Sequence, residues 1–119
     1  MEKPDTYTLT WKVTEDMTAK RIGTAGANIL STPNMLSLME AAAFELAKKY
    51  LSDGMTTVGA EAHIRHLTST PVGMNISATA RLRSIERRKM WFDIDVFDER
   101  GKCGEGSHLR IMVQNKDRS

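Results

Sequence analysis

One long helical pattern followed by four strand-like segments is the feature that most limits what this chain can fold into. The helix is read from about Pro33 to about Leu51, in "PNMLSLMEAAAFELAKKYL". Leu36, Glu40, Ala43, Ala47 and Tyr50 recur at steps of three and four, and Met39, Phe44, Leu46 and Leu51 widen that stripe. Glu45, Lys48 and Lys49 fall towards the other side. Ser31 and Thr32 are capping residues ahead of Pro33, and Gly54 can take the left-handed position that ends the helix region.

The segments after the helix alternate with the period of two that a half-buried strand requires. Residues 56–68 form the first. Residues 74–87 place Ile76, Ala78, Ala80 and Leu82 on one face, with Asn75, Ser77, Thr79, Arg81 and Arg83 on the other. Residues 89–101 set Met90, Phe92, Ile94 and Val96 against Trp91, Asp93, Asp95 and Phe97. Residues 102–114 form the last, with "GEG" marking a bulge or a close backbone approach. "TPVG", "RRK" and "DERG" are turns, and such short connections make the strands antiparallel neighbours. Residues 7–17 read as an edge strand running into an acidic turn, residues 18–33 as loop or short irregular helix, and "NKDRS" as a polar tail. One helix cannot cover both faces of five strands, so it lies across one face. The expectation is an α+β domain over residues 1–119, one central helix on a five-stranded antiparallel sheet.

The net charge of +2 and the absence of a dense Lys/Arg tract argue against nucleic acid as a partner. With one cysteine, Cys103, the chain cannot build an intrachain disulfide or a cysteine-rich zinc site. No apolar run of signal-peptide or membrane-span type occurs, so the expected location is the cytoplasm, away from any membrane.

Glu40 is the first candidate for chemistry. A carboxylate on an apolar helix face needs a partner or an elevated pKa, and the small Ala41, Ala42 and Ala43 beside it let another group approach closely. His63 and His66 stand three apart on a strand and so point to opposite faces; they do not converge on a metal, and no metal is implied. Thr32 precedes the helix, where a threonine is ordinarily a cap. His108 receives no specific role. There is no G-x-S-x-G elbow, no Gly-rich phosphate loop and no H-E-x-x-H.

The spacing of Thr32 and Glu40 around the helix start, then "TVGAEAHIRHLTSTPVG" and "GEGSHLR", resembles the fluoroacetyl-CoA-specific thioesterase subfamily of the hot-dog thioesterases, from about Thr32 to about Val113. The resemblance implies the hot-dog fold and hydrolysis of an acyl-CoA, or related carrier, thioester to acid and thiol. It implies a catalytic set of Thr32, Glu40 and His66, with Gly59 and Arg110 at the substrate. No cofactor is implied, coenzyme A being part of the substrate. A homodimer with active sites at the subunit interface is also implied, so that a site could take Glu40 from one chain and His66 from the other.

On these expectations Glu40 attacks the thioester or deprotonates water, and the Gly59 amide stabilises the oxyanion. His66 serves the water or the leaving thiolate, and Thr32 hydrogen-bonds the glutamate or the water. Arg65, Arg81, Arg83, Arg87, Arg88 and Lys89 can meet phosphates or simply face solvent. The subfamily's aromatic lid has no counterpart in "EDMTAKRIGTAGANILS", which points to an acyl group other than a small fluorinated one. A non-catalytic acyl-CoA binding module on the same fold is the alternative; a hydratase ranks last, for want of its Asp/His pair.

Overall fold

The computed structural model describes residues 5–115. Its strands are β1 (Thr6–Lys12), β2 (Met55–His66), β3 (Asn75–Glu86), β4 (Lys89–Asp98) and β5 (Gly101–Gln114), and its helices α1 (Ala19–Ile22) and α2 (Thr32–Ala47). The strands form one antiparallel sheet in the order β1-β3-β4-β5-β2, so β1 and β2 are the edges. Of the polar tail only Asn115 lies within the described residues; its amide donates to the Gly54 carbonyl at 2.8 Å.

The ends of α2 follow from its sequence. The Ser31 hydroxyl accepts from the Asn34 amide at 3.2 Å, so Ser31 is the cap and Thr32 the first helical residue. After Ala47 the chain tightens into a 3-10 turn, Lys48–Tyr50, and Gly54 turns it back at φ 83°.

The buried side of α2 consists of Met35, Leu38, Met39, Ala42, Ala43, Leu46 and Ala47. This corrects the sequence expectation. The centre of the stripe is rotated from the Leu36–Glu40 line, and Glu40 sits at its flank, half-buried. The cause is long-range. Gly104 and Gly106 of β5 lie directly under the helix: a Cβ on Gly104 would meet the Met35 side chain, and one on Gly106 would meet the Met39 methyl and the His63 carbonyl. The methionines settle over the glycines and set the roll of the helix. They join Ile76, Ala78, Ala80, Met90, Phe92, Ile94 and Val96 in the core, on the faces the alternation predicts. Full burial of each large side chain is worth roughly 1.5–3 kcal/mol.

The other face of the sheet carries polar and charged pairs. Thr8 bonds Thr79 at 2.8 Å and Thr10 bonds Ser77 at 2.7 Å. Arg83 pairs with Asp93, Lys102 bridges Asp95 and Glu105, and Arg65 reaches Glu105. Residues 13–31, between β1 and α2, hold a 3-10 turn (Glu15–Met17), α1, and isolated bridges Thr18–Leu30 and Ile29–Pro71. Among the described residues no helix is long and apolar enough to cross a membrane.

Candidate active site

Two polar groupings form where α2 passes over β2 and β5. The first is at the N-terminal end of α2. Thr32 Oγ1 lies 2.8 Å from His66 Nδ1. Ser31 carries the cap, so the Thr32 hydroxyl is free for the ring. His66 Nε2 is buried and has no hydrogen-bond partner. A buried ring nitrogen left open is a place for a water or a ligand atom. Burial lowers the His66 pKa, with the Thr68 backbone opposing, so the ring is held towards its neutral form. His63 lies on the exposed face of β2, 3.9 Å from the Glu61 carboxylate, and takes no part.

The second grouping is two helical turns further along. A Cβ on Gly59 would lie 2.9 Å from Glu40 Oε2, 3.1 Å from His108 Cε1 and 3.5 Å from Arg110 Nη1. Three polar side chains therefore converge over a backbone position that only glycine leaves open. Gly59 pairs with Arg110 across the β2–β5 ladder, and the register shifts between Gly59 and Glu61, so a bulge at Ala60 adjoins the site.

Arg110 is 7% exposed. Its Nε donates to Thr57 Oγ1 at 2.8 Å, its Nη2 to the Thr57 carbonyl at 3.1 Å, and its Nη1 to His108 Nε2 at 3.1 Å. The Phe44 ring, one turn on from Glu40, lies against the guanidinium at 5.5 Å. Burial lowers the Arg110 pKa and the charge of Glu40 opposes, yet no ion pair closes between them. The carboxylate is left over the Gly59 backbone.

All five residues expected from the sequence thus line this side of the molecule, in two sets. Thr32 meets His66; Glu40 and Arg110 both approach Gly59. The partner of Thr32 within the chain is the imidazole, not Glu40, because eight helical residues separate Thr32 from Glu40 by about 12 Å along the axis. His108, Thr57 and Phe44 join the second set unforeseen. The signal for His108 was present: Gly104, Gly106, His108 and Arg110 alternate on one face of β5, and the glycines mark that face as the helix side. No group of three or more His, Cys, Asp or Glu suited to a metal occurs among the described residues.

The comparisons with known proteins bear on the family and the fold. The model of the fluoroacetyl-CoA-specific thioesterase family, FlK, matches residues 13–116. The fluoroacetyl-CoA thioesterase of Streptantibioticus cattleyicolor is 31% identical over 85 residues, which is 71% of this chain and 61% of that protein, so the match spans less than two thirds of the relative. A solved structure of a variant of FlK in complex with fluoroacetate and CoA superposes with a TM-score of 0.87 at 25% identity, covering 96% of each chain. A hot-dog-like protein from Thermanaerovibrio acidaminovorans superposes at 0.85 with 21% identity over 93% of this chain and 82% of its own, a likeness of fold. One long helix on a five-stranded antiparallel sheet is that hot-dog fold, and the chain belongs to the fluoroacetyl-CoA-specific thioesterase family.

Proposed function

We propose that the protein hydrolyses an acyl-CoA, or a thioester on a related carrier, to free acid and thiol, with Glu40 as the group that attacks the carbonyl or deprotonates the attacking water. The observation that carries this reading is the approach of the Glu40 carboxylate to the Gly59 backbone, closer than any side chain at position 59 would permit. A thioester carbonyl seated there meets a carboxylate, a bulged strand whose backbone can supply an oxyanion donor, and the buried Arg110 cation.

His66 and Thr32 complete the chemistry only if they come from a second copy. Strand β2 runs twelve residues along a sheet edge, with residues 59–63 exposed and Val58 49% exposed. Unpaired edges of this length are normally covered. Antiparallel pairing of two β2 strands about a two-fold axis at His63, with the Ala60 bulge taking up one residue, would set Gly59 opposite His66 of the partner subunit. That pairing would make a homodimer with two composite sites, His66 of one subunit beside Glu40 of the other. Thr32 then orients the ring, and His66 serves the water or protonates the leaving thiolate.

A variant of FlK has been solved with fluoroacetate and CoA. Here the segment before α2 has no Phe, Tyr or Trp, which favours a broader or different acyl group. Coenzyme A enters as part of the substrate, and no cofactor is invoked. The test is thiol release from acyl-CoAs of graded length, acetyl to long-chain and aryl, by native protein and Glu40→Ala. Turnover by the native protein alone is expected. Tight binding with no thiol released from any thioester would replace the enzyme by a sequestering module.

A further inference from the structure

The mechanism above leaves His108, a buried titratable group, without a task. His108 is 2% exposed, and both of its ring nitrogens are occupied. Nδ1 lies 2.8 Å from the Glu61 carbonyl, and Nε2 lies 3.1 Å from Arg110 Nη1. A carbonyl only accepts and a guanidinium only donates. The proton is therefore on Nδ1, Nε2 is bare, and the ring is neutral. Protonation would destroy the acceptor and press a second cation against Arg110.

We infer that His108 is a positioning residue for the carboxylate site, locking the Arg110 guanidinium to the Gly59–Glu61 bulge beneath Glu40. This rests on the reading of the Glu40–Gly59 grouping as the thioester site. Three fixed acceptors define the guanidinium plane: Thr57 Oγ1 accepts from Nε, the Thr57 carbonyl from Nη2, and His108 Nε2 from Nη1. Remove the last and the plane can turn about the remaining bonds. The same ring ties the Glu61 carbonyl at the register shift, and its Cε1 approaches within 3.1 Å of the position a Gly59 Cβ would occupy. One imidazole thus couples the placement of the cation to that of the backbone at the reacting carbonyl. The charged groups that face it are Arg110 on its own strand and Glu40 on α2. Burial and Arg110 lower its pKa, against the Glu61 carbonyl and Glu40.

The two nitrogens can be separated by substitution. His108→Gln can keep an acceptor for Arg110, His108→Asn can keep a donor for the Glu61 carbonyl, and His108→Leu keeps neither. With the full chain and its best acyl-CoA, His108→Leu is expected to lose kcat by about 10²-fold with KM within about threefold, as for a displaced catalytic group. Gln should recover most of that loss at a melting temperature matched to Leu. Nitrogen NMR of the native protein should show a neutral Nδ1–H ring at pH 7, and an Arg110 Nη1 proton should be protected in the native and Gln forms and exchange fast in Leu. Equal kcat in native and Leu forms, or a Gln form no better than Leu, overturns the inference; so does an imidazolium or an Nε2–H ring. If the native protein releases no thiol from any thioester, the hydrolase reading falls, while the ring tautomer and the Arg110 proton still decide the positioning.

Discussion

Gly59→Ala tests the site with a single carbon. The new Cβ would stand 2.9 Å from Glu40 Oε2 and 3.1 Å from His108 Cε1, where ordinary contact begins at 3.4 Å. To restore that contact the carboxylate oxygen retreats by about 0.5 Å and the ring by about 0.3 Å. The glutamate end is flexible and gives way; the ring, held at both nitrogens, yields less. Gly59 is not among the glycines with positive φ, so alanine meets no backbone strain there. Alanine also restricts the unfolded chain, worth about 0.4–1 kcal/mol, which offsets part of a crowding cost of about 1–3 kcal/mol. Net stability should change by roughly 1 kcal/mol, a shift of a few degrees in the melting temperature. The carboxylate leaves its place over the carbonyl site, and such a displacement lowers turnover by about 10²-fold, roughly 2.7 kcal/mol in the barrier. The assay pairs thiol release under saturating acyl-CoA with a thermal melt. Full turnover in Gly59→Ala would refute the placement of Glu40 over Gly59 as the working geometry.

Thr32→Ala should leave the fold intact, because Ser31 carries the cap, yet lower kcat by about tenfold through loss of the His66 bond, with Thr32→Ser retaining most activity; equal activity in all three would remove Thr32 from the site. His66 and His108 have pKa values lowered by burial, so the unfolded chain binds protons that the native rings refuse. Their contribution costs nothing above the ordinary histidine value of about 6.5 and destabilises progressively as pH falls from there towards the native values. Melting temperature should accordingly drop on the acid side of that value, and less so in His108→Leu; an identical pH dependence in native and Leu forms would contradict it.

Much of the fold was legible because its information is local. Period two in residues 74–87 and 89–101 put Ile76, Ala78 and Ala80, and Phe92 and Ile94, each on one face, and those faces form the core. Gly54 ended the helix region as its φ requires. Glu40 was legible as an anomaly but not in its place, since the roll of α2 is set by Met35 and Met39 settling over Gly104 and Gly106, strands away in sequence. His108 was missed for a related reason. Its two partners become neighbours only through the β2–β5 register and the bulge at Ala60, which pair residues about fifty positions apart. The Thr32–His66 bond likewise spans the helix start and the far end of β2.

The central claim is that each working site joins Glu40 of one subunit to His66 of the other. Mixed dimers of two inactive variants, Glu40→Ala and His66→Ala, test it most directly. A heterodimer would hold one doubly mutated site and one intact site, so a statistical mixture should regain about one quarter of native thiol release. A mixture as inactive as its parents, with dimers demonstrated by light scattering and subunit exchange, would contradict the composite site.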